Sequence, residues 1–385
     1  MAGNVLLEEN NLQTTHSALC RNPLHCIVPP HVLERLARER LGTAADERER
    51  TAALAALDTL TITESFRVAR VMKPSLERRP PLRGPRLFRR QRRAWRSAQG
   101  GGRLAAALEF AKHRTVYSAQ NRYKIPGVKV CSEDQGPTND LPVDEAYDYL
   151  GATFDFYANT YGRNSIDDEG MPLNATVHYG RNYDNALWDG HRMIFGDGDT
   201  VTFDRFTIAV DVLGHELTHG VTQHDSGLIY SEQSGALNES ISDVFGSLVK
   251  QSRLNQTADQ ADWLIGVGLL IGGDALRSMK EPGAGFDPQP SHMRDYVDTI
   301  KDNGGVHINS GIPNHAFYLA AVGIGGYAWQ GAGLIWYLTL PLVPPTAQFQ
   351  DFASLTLATA QRLFGVNSTE YEATGAAWAE VGIRV

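Results

Sequence analysis

The chain has 385 residues, of which 42% are hydrophobic and 21% charged, a composition typical of a globular protein with room for two or three folded units. No uninterrupted apolar stretch approaches the ~18 residues of a membrane span, and three cysteines are too few for a disulfide framework. The net charge of −8 is unevenly divided, because residues 1–114 carry 21 basic and 11 acidic side chains whereas the remainder carries 15 and 33.

The basic N-terminal part contains two predicted elements and one predicted linker. Pro29 and Pro30 precede a predicted helix over 31–40, and an Ala/Leu run follows near 52–60. The segment 67–103 is rich in Arg, Pro and Gly, which is typical of a poorly ordered linker. The excess of positive charge fits a nucleic-acid-binding arm, a part that is attracted to the acidic remainder, or a solvated linker.

The first twenty residues lack both the basic and the apolar regions of a secretory signal peptide. The sequence therefore predicts a protein that is cytoplasmic or is secreted by a non-classical route.

Beyond residue 114 the pattern changes twice along the chain. Alternating apolar residues predict short strands at 177–179 and 193–195, with a Gly/Asp turn over 196–199. The chain then becomes mainly helical. Helices are predicted over 206–224, 233–251, 313–322, 349–364 and 369–381. The expected architecture is α+β, followed by an all-α domain, with a functional site where the two meet.

One predicted helix carries the sequence His215-Glu216-Leu217-Thr218-His219. Residues four positions apart share a helix face, so both imidazoles can bind one metal ion. Glu216 lies about 100° from His215 around the helix and can face the open position of that ion. Two histidines and a glutamate inside the apolar string VDVLGHELTHGV are costly unless they are paired or coordinated.

A carboxylate on the next predicted helix completes a zinc site. Glu239 follows His219 after nineteen intervening residues and provides a third protein ligand, which leaves the fourth position open for water. Asp243 lies one turn after Glu239, where it can accept the outer N–H of a ligand histidine. The alternative for Asp243 is a carboxylate on the helix surface.

These residues stand in a longer string, HELTHGVTQHDSGLIYSEQSGALNESISDVFGSLV, that resembles the active-site helices of the thermolysin family. Zinc aminopeptidases share the ligand set but have a shorter spacing and a Gly-x-Met-Glu-Asn element that is missing here. Blocks at 185–188, 273–279 and 302–311 also resemble the family, in the same order. The resemblance runs from about Thr115 to the C-terminus and implies a catalytic domain over 115–225 and a helical domain over 226–385, with zinc between them.

The resemblance also implies roles for individual residues. The zinc ligands would be His215, His219 and Glu239. Glu216 would be the general base, and His307 and Tyr230 would donate hydrogen bonds to the oxyanion, with Asp302 orienting His307. Without the resemblance, the residues alone favour a packed aromatic residue for Tyr230 and an ordinary loop histidine for His307.

Substrate binding is assigned in the same way. Asn185 and the backbone of Ala186 would bind the substrate main chain, and Arg277 would hold a substrate carbonyl. The family pocket accepts a large apolar side chain on the leaving-group side of the scissile bond. The positions that match its lining are all apolar: Phe203, Val212, Ile265 and Leu276. The implied activity is a zinc metalloendopeptidase that acts on protein or peptide substrates.

Calcium is not expected, although the family often binds it. Three acids match calcium-associated positions of the family: Asp211, Asp262 and Asp274. Lys250, Leu264 and Val267, however, stand where thermolysin has carboxylates, and a lysine ammonium repels a calcium ion.

The string Cys26-Ile27-Val28-Pro29-Pro30 and the helix after it resemble the short propeptide of the protealysin-like subgroup, over about residues 20–42. Residues 1–114 are therefore expected to be an inhibitory propeptide that acts in cis. We expect Cys26 to act as a latency switch, because a thiolate at the open zinc position displaces the catalytic water. The alternative is a buried thiol packed beneath the helix.

A second class of function remains open, namely a catalytically inactive binding protein with the thermolysin fold. The basic arm has few aromatic residues between its charges, so no nucleic-acid partner is expected. The expected state is a monomer without a membrane span.

Overall fold

The computed structural model describes residues 25–42, 46–71 and 110–385. The predicted linker lies outside the described residues beyond residue 71, as does Cys20. We call residues 1–114 the leader and residues 115–385 the body. Two helices of the leader precede the body: α1 covers Pro30–Gly42 and α2 covers Glu47–Val71. The helix predicted over 31–40 is thus confirmed, whereas α2 is far longer than the Ala/Leu run suggested.

A six-stranded mixed sheet forms the first half of the body. Its strands are β1 His25–Cys26, β2 Arg114–Arg122, β3 Val128–Ser132, β4 Leu173–Tyr179, β5 Ala186–Trp188 and β6 Met193–Phe195. Their order across the sheet is β1-β5-β6-β4-β2-β3, and β1 pairs antiparallel with β5. The first strand of the leader is therefore an edge strand of the sheet of the body.

Two helices pack against this sheet. Helix α3 covers Leu141–Tyr161 and ends at Gly162, whose left-handed backbone accommodates the C-cap. Helix α4 covers Val210–Asp225, and nearly all its residues are buried because it lies between the sheet and the helical half. An interior helix of this kind positions its polar side chains where they cannot exchange partners with bulk water.

The remainder of the chain is mainly helical. Its helices are α5 Glu232–Leu254, α6 Asp302–Asn309, α7 Gly311–Ile324, α8 Ala332–Thr339, α9 Phe349–Phe364 and α10 Thr369–Glu380. A two-stranded ribbon of β7 Leu264–Ile265 and β8 Arg277–Ser278 lies between α5 and α6. Within the described residues, no helix is both long and apolar enough to cross a bilayer.

The close approach of α4 and α5 depends on glycine. A side chain at Gly246 would lie 2.4 Å from the carbonyl oxygen of Asp211 and 3.0 Å from the backbone nitrogen of His215. Gly214 faces the Cα atom of Gly246 across the same contact. Because neither residue has a side chain, the two helices lie close enough for their polar residues to meet between them.

The fold class predicted from the sequence, α+β followed by a helical half, is confirmed. The predicted helices and the strands at 177–179 and 193–195 are present with shifts of a few residues at their ends. Helices α3, α6 and α8 were missed.

Candidate active site

Three ligand atoms converge where α4 meets α5. The Nε2 atoms of His215 and His219 lie 3.0 Å apart. One carboxylate oxygen of Glu239 lies 3.4 Å from Nε2 of His215, and the other lies 3.5 Å from Nε2 of His219. A tetrahedral ion with ligands at about 2.0–2.1 Å separates its ligand atoms by about 3.4 Å. All three residues are buried, and their spacing fits zinc.

The outer nitrogens of both histidines are held by neighbours on α5. Nδ1 of His215 lies 2.8 Å from Oδ1 of Asp243. Nδ1 of His219 lies 2.8 Å from Oδ1 of Asn238 and 3.0 Å from the hydroxyl of Ser242. These contacts orient Nε2 of each ring toward the common point. Asp243 is fully buried, so the alternative of a surface carboxylate does not apply to it.

Asp243 also connects the site to the substrate-binding residues. Two guanidinium nitrogens of Arg277 donate to its carboxylate at 2.9 and 2.7 Å, and the amide of Asn314 donates at 2.9 Å. Arg277 holds the pKa of Asp243 well below its usual range despite the burial of the carboxylate. Sequence reasoning missed Asn238, Ser242 and Asn314, because neutral side chains carry no charge signal.

Glu216 lies on the same helix turn and is fully buried. Burial is the main cause that raises its pKa, the nearby Glu239 adds to the effect, and the value is about 8. A carboxylate with this pKa holds a proton more readily than an exposed one, which suits a group that accepts a proton from water and passes it on.

Tyr230 and His307 both lie next to the carboxylate of Glu239. The Tyr230 hydroxyl donates to Glu239 and lies 3.1 Å from Nε2 of His307. Nδ1 of His307 lies 2.6 Å from Oδ1 of Asp302. Burial lowers the pKa of His307, but Asp302 and Glu239 raise it further, to about 9. The raised pKa favours the protonated ring, in which Nε2 carries a hydrogen and can donate it.

The leader lies in the cleft in front of these groups. Cys26 pairs with Leu187 across the β1–β5 ladder, and the Ile27 nitrogen donates to the carbonyl of Ala186 at 3.1 Å. Asn185 accepts from the Val28 nitrogen at 3.0 Å and donates to the Val28 carbonyl at 3.1 Å. The residues expected to bind a substrate main chain thus bind the main chain of the leader.

The four residues expected to line a specificity pocket come from separate elements. Val212 lies on α4, Ile265 on β7, and the Leu276 nitrogen donates to the Ile265 carbonyl at 3.0 Å. All four residues are fully buried, and they share one hydrophobic core with Ile27 of the leader. The four are Phe203, Val212, Ile265 and Leu276.

The expected contact of the Cys26 thiol with the metal is not what the structure shows. The Cys26 side chain is buried in an apolar cluster with Leu187 and Ile194, on the opposite face of β1, and its thiol donates to the Val28 carbonyl at 3.7 Å. The alternating direction of side chains along a strand explains this placement. The leader residue that reaches the site is His25, whose ring stacks on His219 with centroids 3.9 Å apart.

His25, His219 and Glu239 also bring ligand atoms within 4.8 Å of one another. The stacking of the two rings aligns their planes within 17°, whereas a metal ion lies in the plane of each ring that binds it. The set of His215, His219 and Glu239 therefore fits an ion better than the set with His25. His25 instead covers the face of a ligand histidine.

A lysine lies between two of the three acids that match calcium-associated positions. Nζ of Lys250 lies 3.1 Å from Asp211 and 2.9 Å from Asp262, and it donates to the Leu264 carbonyl at 2.6 Å. The ammonium group already compensates these carboxylates. The absence of calcium stays a prediction.

The chain matches two family descriptions over most of its length. Residues 103–223 match "Thermolysin metallopeptidase, catalytic domain", and residues 226–383 match "Thermolysin metallopeptidase, alpha-helical domain". The chain belongs to the thermolysin metallopeptidase family. It is a thermolysin-like metalloprotease, as expected from the motif at 215–219.

Individual relatives agree with this membership. A protein named "Extracellular metalloprotease" from Pectobacterium carotovorum is 44% identical over 94% of this chain and 97% of its own length. "Protease PrtS" from Photorhabdus is 52% identical over 71% of this chain and 77% of its own. The solved precursor of protealysin from Serratia proteamaculans superposes with a TM-score of 0.76 at 44% identity, covering 93% and 99% of the two chains.

The names of these thermolysin-family relatives correct one expectation. The sequence predicted a cytoplasmic protein or secretion by a non-classical route. The Pectobacterium relative and a further one from Serratia marcescens, 40% identical, are both named extracellular metalloproteases. The cytoplasmic expectation is therefore wrong, since the relatives point to secretion.

Proposed function

We propose that this metalloprotease is an extracellular zinc endopeptidase that cleaves on the amino side of large apolar residues and is made in a latent form. The convergence of His215, His219 and Glu239 within 3.0–3.5 Å carries the proposal. We divide the chain into a leader over 1–114, a catalytic domain over 115–225 and a helical domain over 226–385.

The zinc ion would be held by those three residues, and when bound it supplies a Lewis acid that lowers the pKa of a water molecule to about 7. Glu216 accepts the proton of the attacking water and later transfers it to the leaving nitrogen. Its buried position supports this role, because burial disfavours the carboxylate and so strengthens Glu216 as a proton acceptor.

The oxyanion that forms on the substrate carbonyl requires donors that are already in place. The two donors beside Glu239 are the Tyr230 hydroxyl and Nε2 of His307; in the latent form the hydroxyl donates to Glu239, and it turns to the oxyanion when a substrate is bound. Burial raises the pKa of Tyr230 well above its usual value, so its hydroxyl keeps its proton. Asp302 keeps the ring of His307 oriented with Nε2 toward the cleft. Each donor is worth roughly 10²–10³ in rate.

Specificity follows from the apolar pocket and the main-chain contacts. Transferring a large apolar side chain into such a pocket contributes roughly 1.5–3 kcal/mol. Arg277, held by Asp243, presents its remaining guanidinium nitrogen to the carbonyl of the residue in the pocket. This arrangement supports binding of an extended peptide along β5.

Latency follows from the leader, which fills the same positions. It contacts the body through its strand, and α1 adds polar contacts outside the cleft. Arg35 donates to the Phe286 carbonyl at 2.7 Å, Arg40 donates to Thr202 at 2.5 Å, and His31 lies 2.8 Å from Asp287. A substrate would need the same groups of the cleft that the leader occupies, so the leader and a substrate cannot bind at the same time.

A peptide assay with matched substrates tests the proposal. Leader-free protein should cleave a peptide that has Phe or Leu after the scissile bond at least tenfold faster than one with Asp there. A chelator should abolish cleavage, and zinc should restore it. A folded, zinc-loaded protein that cleaves neither peptide would instead be the inactive binding protein considered above.

A further inference from the structure

The leader crosses the cleft in one defined direction. Strand β1 runs antiparallel to β5, and the contacts continue in register through Ile27 and Val28. The proposed substrate contacts, from Ala186 and Asn185, are therefore made in order by consecutive leader residues. A segment bound in the reverse direction would exchange the positions of its N–H and carbonyl groups.

The carbonyl groups of the leader identify which peptide bond lies at the reacting position. The Cys26 carbonyl oxygen lies 3.2 Å from Nε2 of His307, the donor proposed for the oxyanion. The next carbonyl, of Ile27, accepts from Nη1 of Arg277 at 3.0 Å. The Ile27 side chain is fully buried in the core that contains the proposed pocket. The bond between Cys26 and Ile27 thus occupies the place of a scissile bond.

We propose that the Cys26–Ile27 peptide bond is a substrate of the protein's own active site and is cleaved in cis. This inference rests on the proposed function. Water adds to the Cys26 carbonyl carbon, and Glu216 takes its proton. The C–N bond to Ile27 then breaks and the proton moves to the leaving nitrogen. The products are a carboxylate at Cys26 and an amino terminus at Ile27, with no change in oxidation state.

The contacts of α1 explain how a leader that is cut at this bond can still inhibit. Ile27 remains joined through Val28 and the two prolines to α1, which the contacts of Arg35 and Arg40 hold on the body. The cut releases the residues before Ile27, but it leaves Ile27 in the apolar core and Val28 on Asn185. The leader then resembles a cleaved product that stays bound.

The test starts from full-length protein whose metal has been removed with a chelator. Zinc is then added back, and the N-terminus of the chain is followed over time. Intact mass and N-terminal labelling should detect a chain that begins at Ile27. Its rate of appearance should be independent of protein concentration, because the reaction is intramolecular. The Glu216→Gln variant, prepared in parallel, should not form this terminus, which excludes cleavage by a contaminating protease.

Two leader variants make the test specific. Ile27→Gly should slow the cut by about 10- to 100-fold, since the pocket loses its apolar occupant, while Ile27→Leu should keep it within about threefold. Absence of the Ile27 terminus in protein that hydrolyses a peptide substrate after maturation would overturn the inference and leave the proposed function intact. If peptide hydrolysis is also absent, the proposed function fails and the inference fails with it.

Discussion

At the scale of single residues, the proposed catalysis depends on Glu216, which lies between the two histidines of the motif in the sequence. Glu216→Gln keeps the size of the side chain but removes its ability to accept a proton. We expect zinc content to stay at the wild-type level while kcat falls by at least about 10²–10⁴. Metal analysis and peptide hydrolysis on the same preparation check this. A variant with substantial kcat would show that another group is the base.

Lys250 is the second residue with a testable consequence. Its ammonium contacts Asp211 and Asp262, so we expect calcium to leave the melting temperature of the wild type unchanged. In Lys250→Glu the three carboxylates repel one another, and calcium should raise the melting temperature by several degrees. Thermal melts with and without calcium decide the matter. A large calcium effect on the wild type would contradict the prediction.

The sequence predicted the ligand set and Glu216 because these residues are close along the chain and share helical spacing. His25 could not be found in this way. Its contact with His219 depends on the register of β1 against β5, which joins residues more than 150 positions apart. The same register places the Cys26 side chain in the apolar cluster with Leu187 and Ile194, a position that local sequence patterns do not predict.

At the scale of elements, helix α1 binds the leader to the body through side-chain hydrogen bonds. Replacing both Arg35 and Arg40 with alanine removes their hydrogen bonds to Phe286 and Thr202 and should shorten the lag before activity appears several-fold. Arg38→Ala is the matched control, since Arg38 is exposed on the same helix. Activation time courses measure the lag. Equal lags in all three proteins would show that α1 does not limit release.

A histidine of strand β4 lies between two carboxylates from neighbouring segments. His178 lies 2.8 Å from Asp197, beyond β6, and 3.1 Å from Asp140, at the start of α3. Asp197 is the main cause that raises the pKa of His178, and Asp140 adds to it against the opposing effect of burial. The charged imidazolium of His178 stabilises the fold through its contacts with the two carboxylates. Because its folded-state pKa is raised, this stabilisation is complete below the unfolded-state pKa of about 6.5 and is lost as pH rises through the folded-state pKa.

His178→Gln should therefore lower the melting temperature more at pH 6 than at pH 9. His191→Gln, at an exposed histidine, is the control and should behave like the wild type at both values. Thermal melts at the two pH values make the comparison. A loss of stability in His178→Gln that is the same at pH 6 and pH 9 would contradict a charged imidazolium between the two carboxylates.

Helix α3 shows a signal that was present in the sequence but not used. Its buried residues Val143, Ala146, Leu150 and Phe154 recur at spacings of three and four, and a proline stands in its first turn. No helix was predicted here, since the aromatic and β-branched residues of the segment favour strands. Tertiary packing against the sheet decided the outcome.

At the scale of the whole molecule, the fold brings together parts that are far apart in the sequence. The proposed zinc ligands come from α4 and α5, the proposed oxyanion donors from the segments around Tyr230 and His307, and the occupant of the cleft from residues 25–28. Local patterns predicted the helices, but only the family resemblance could place the last two groups at one site, because their contacts span up to 281 positions.

In the proposed function, one zinc ion held by His215, His219 and Glu239 makes the leader-free protein an endopeptidase. The most direct measurement is the rate of peptide hydrolysis as zinc is returned in known amounts to chelated protein. We predict that the rate rises in proportion to zinc and stops rising at one ion per chain. Full activity without zinc, or none at one bound ion per chain, would contradict the account.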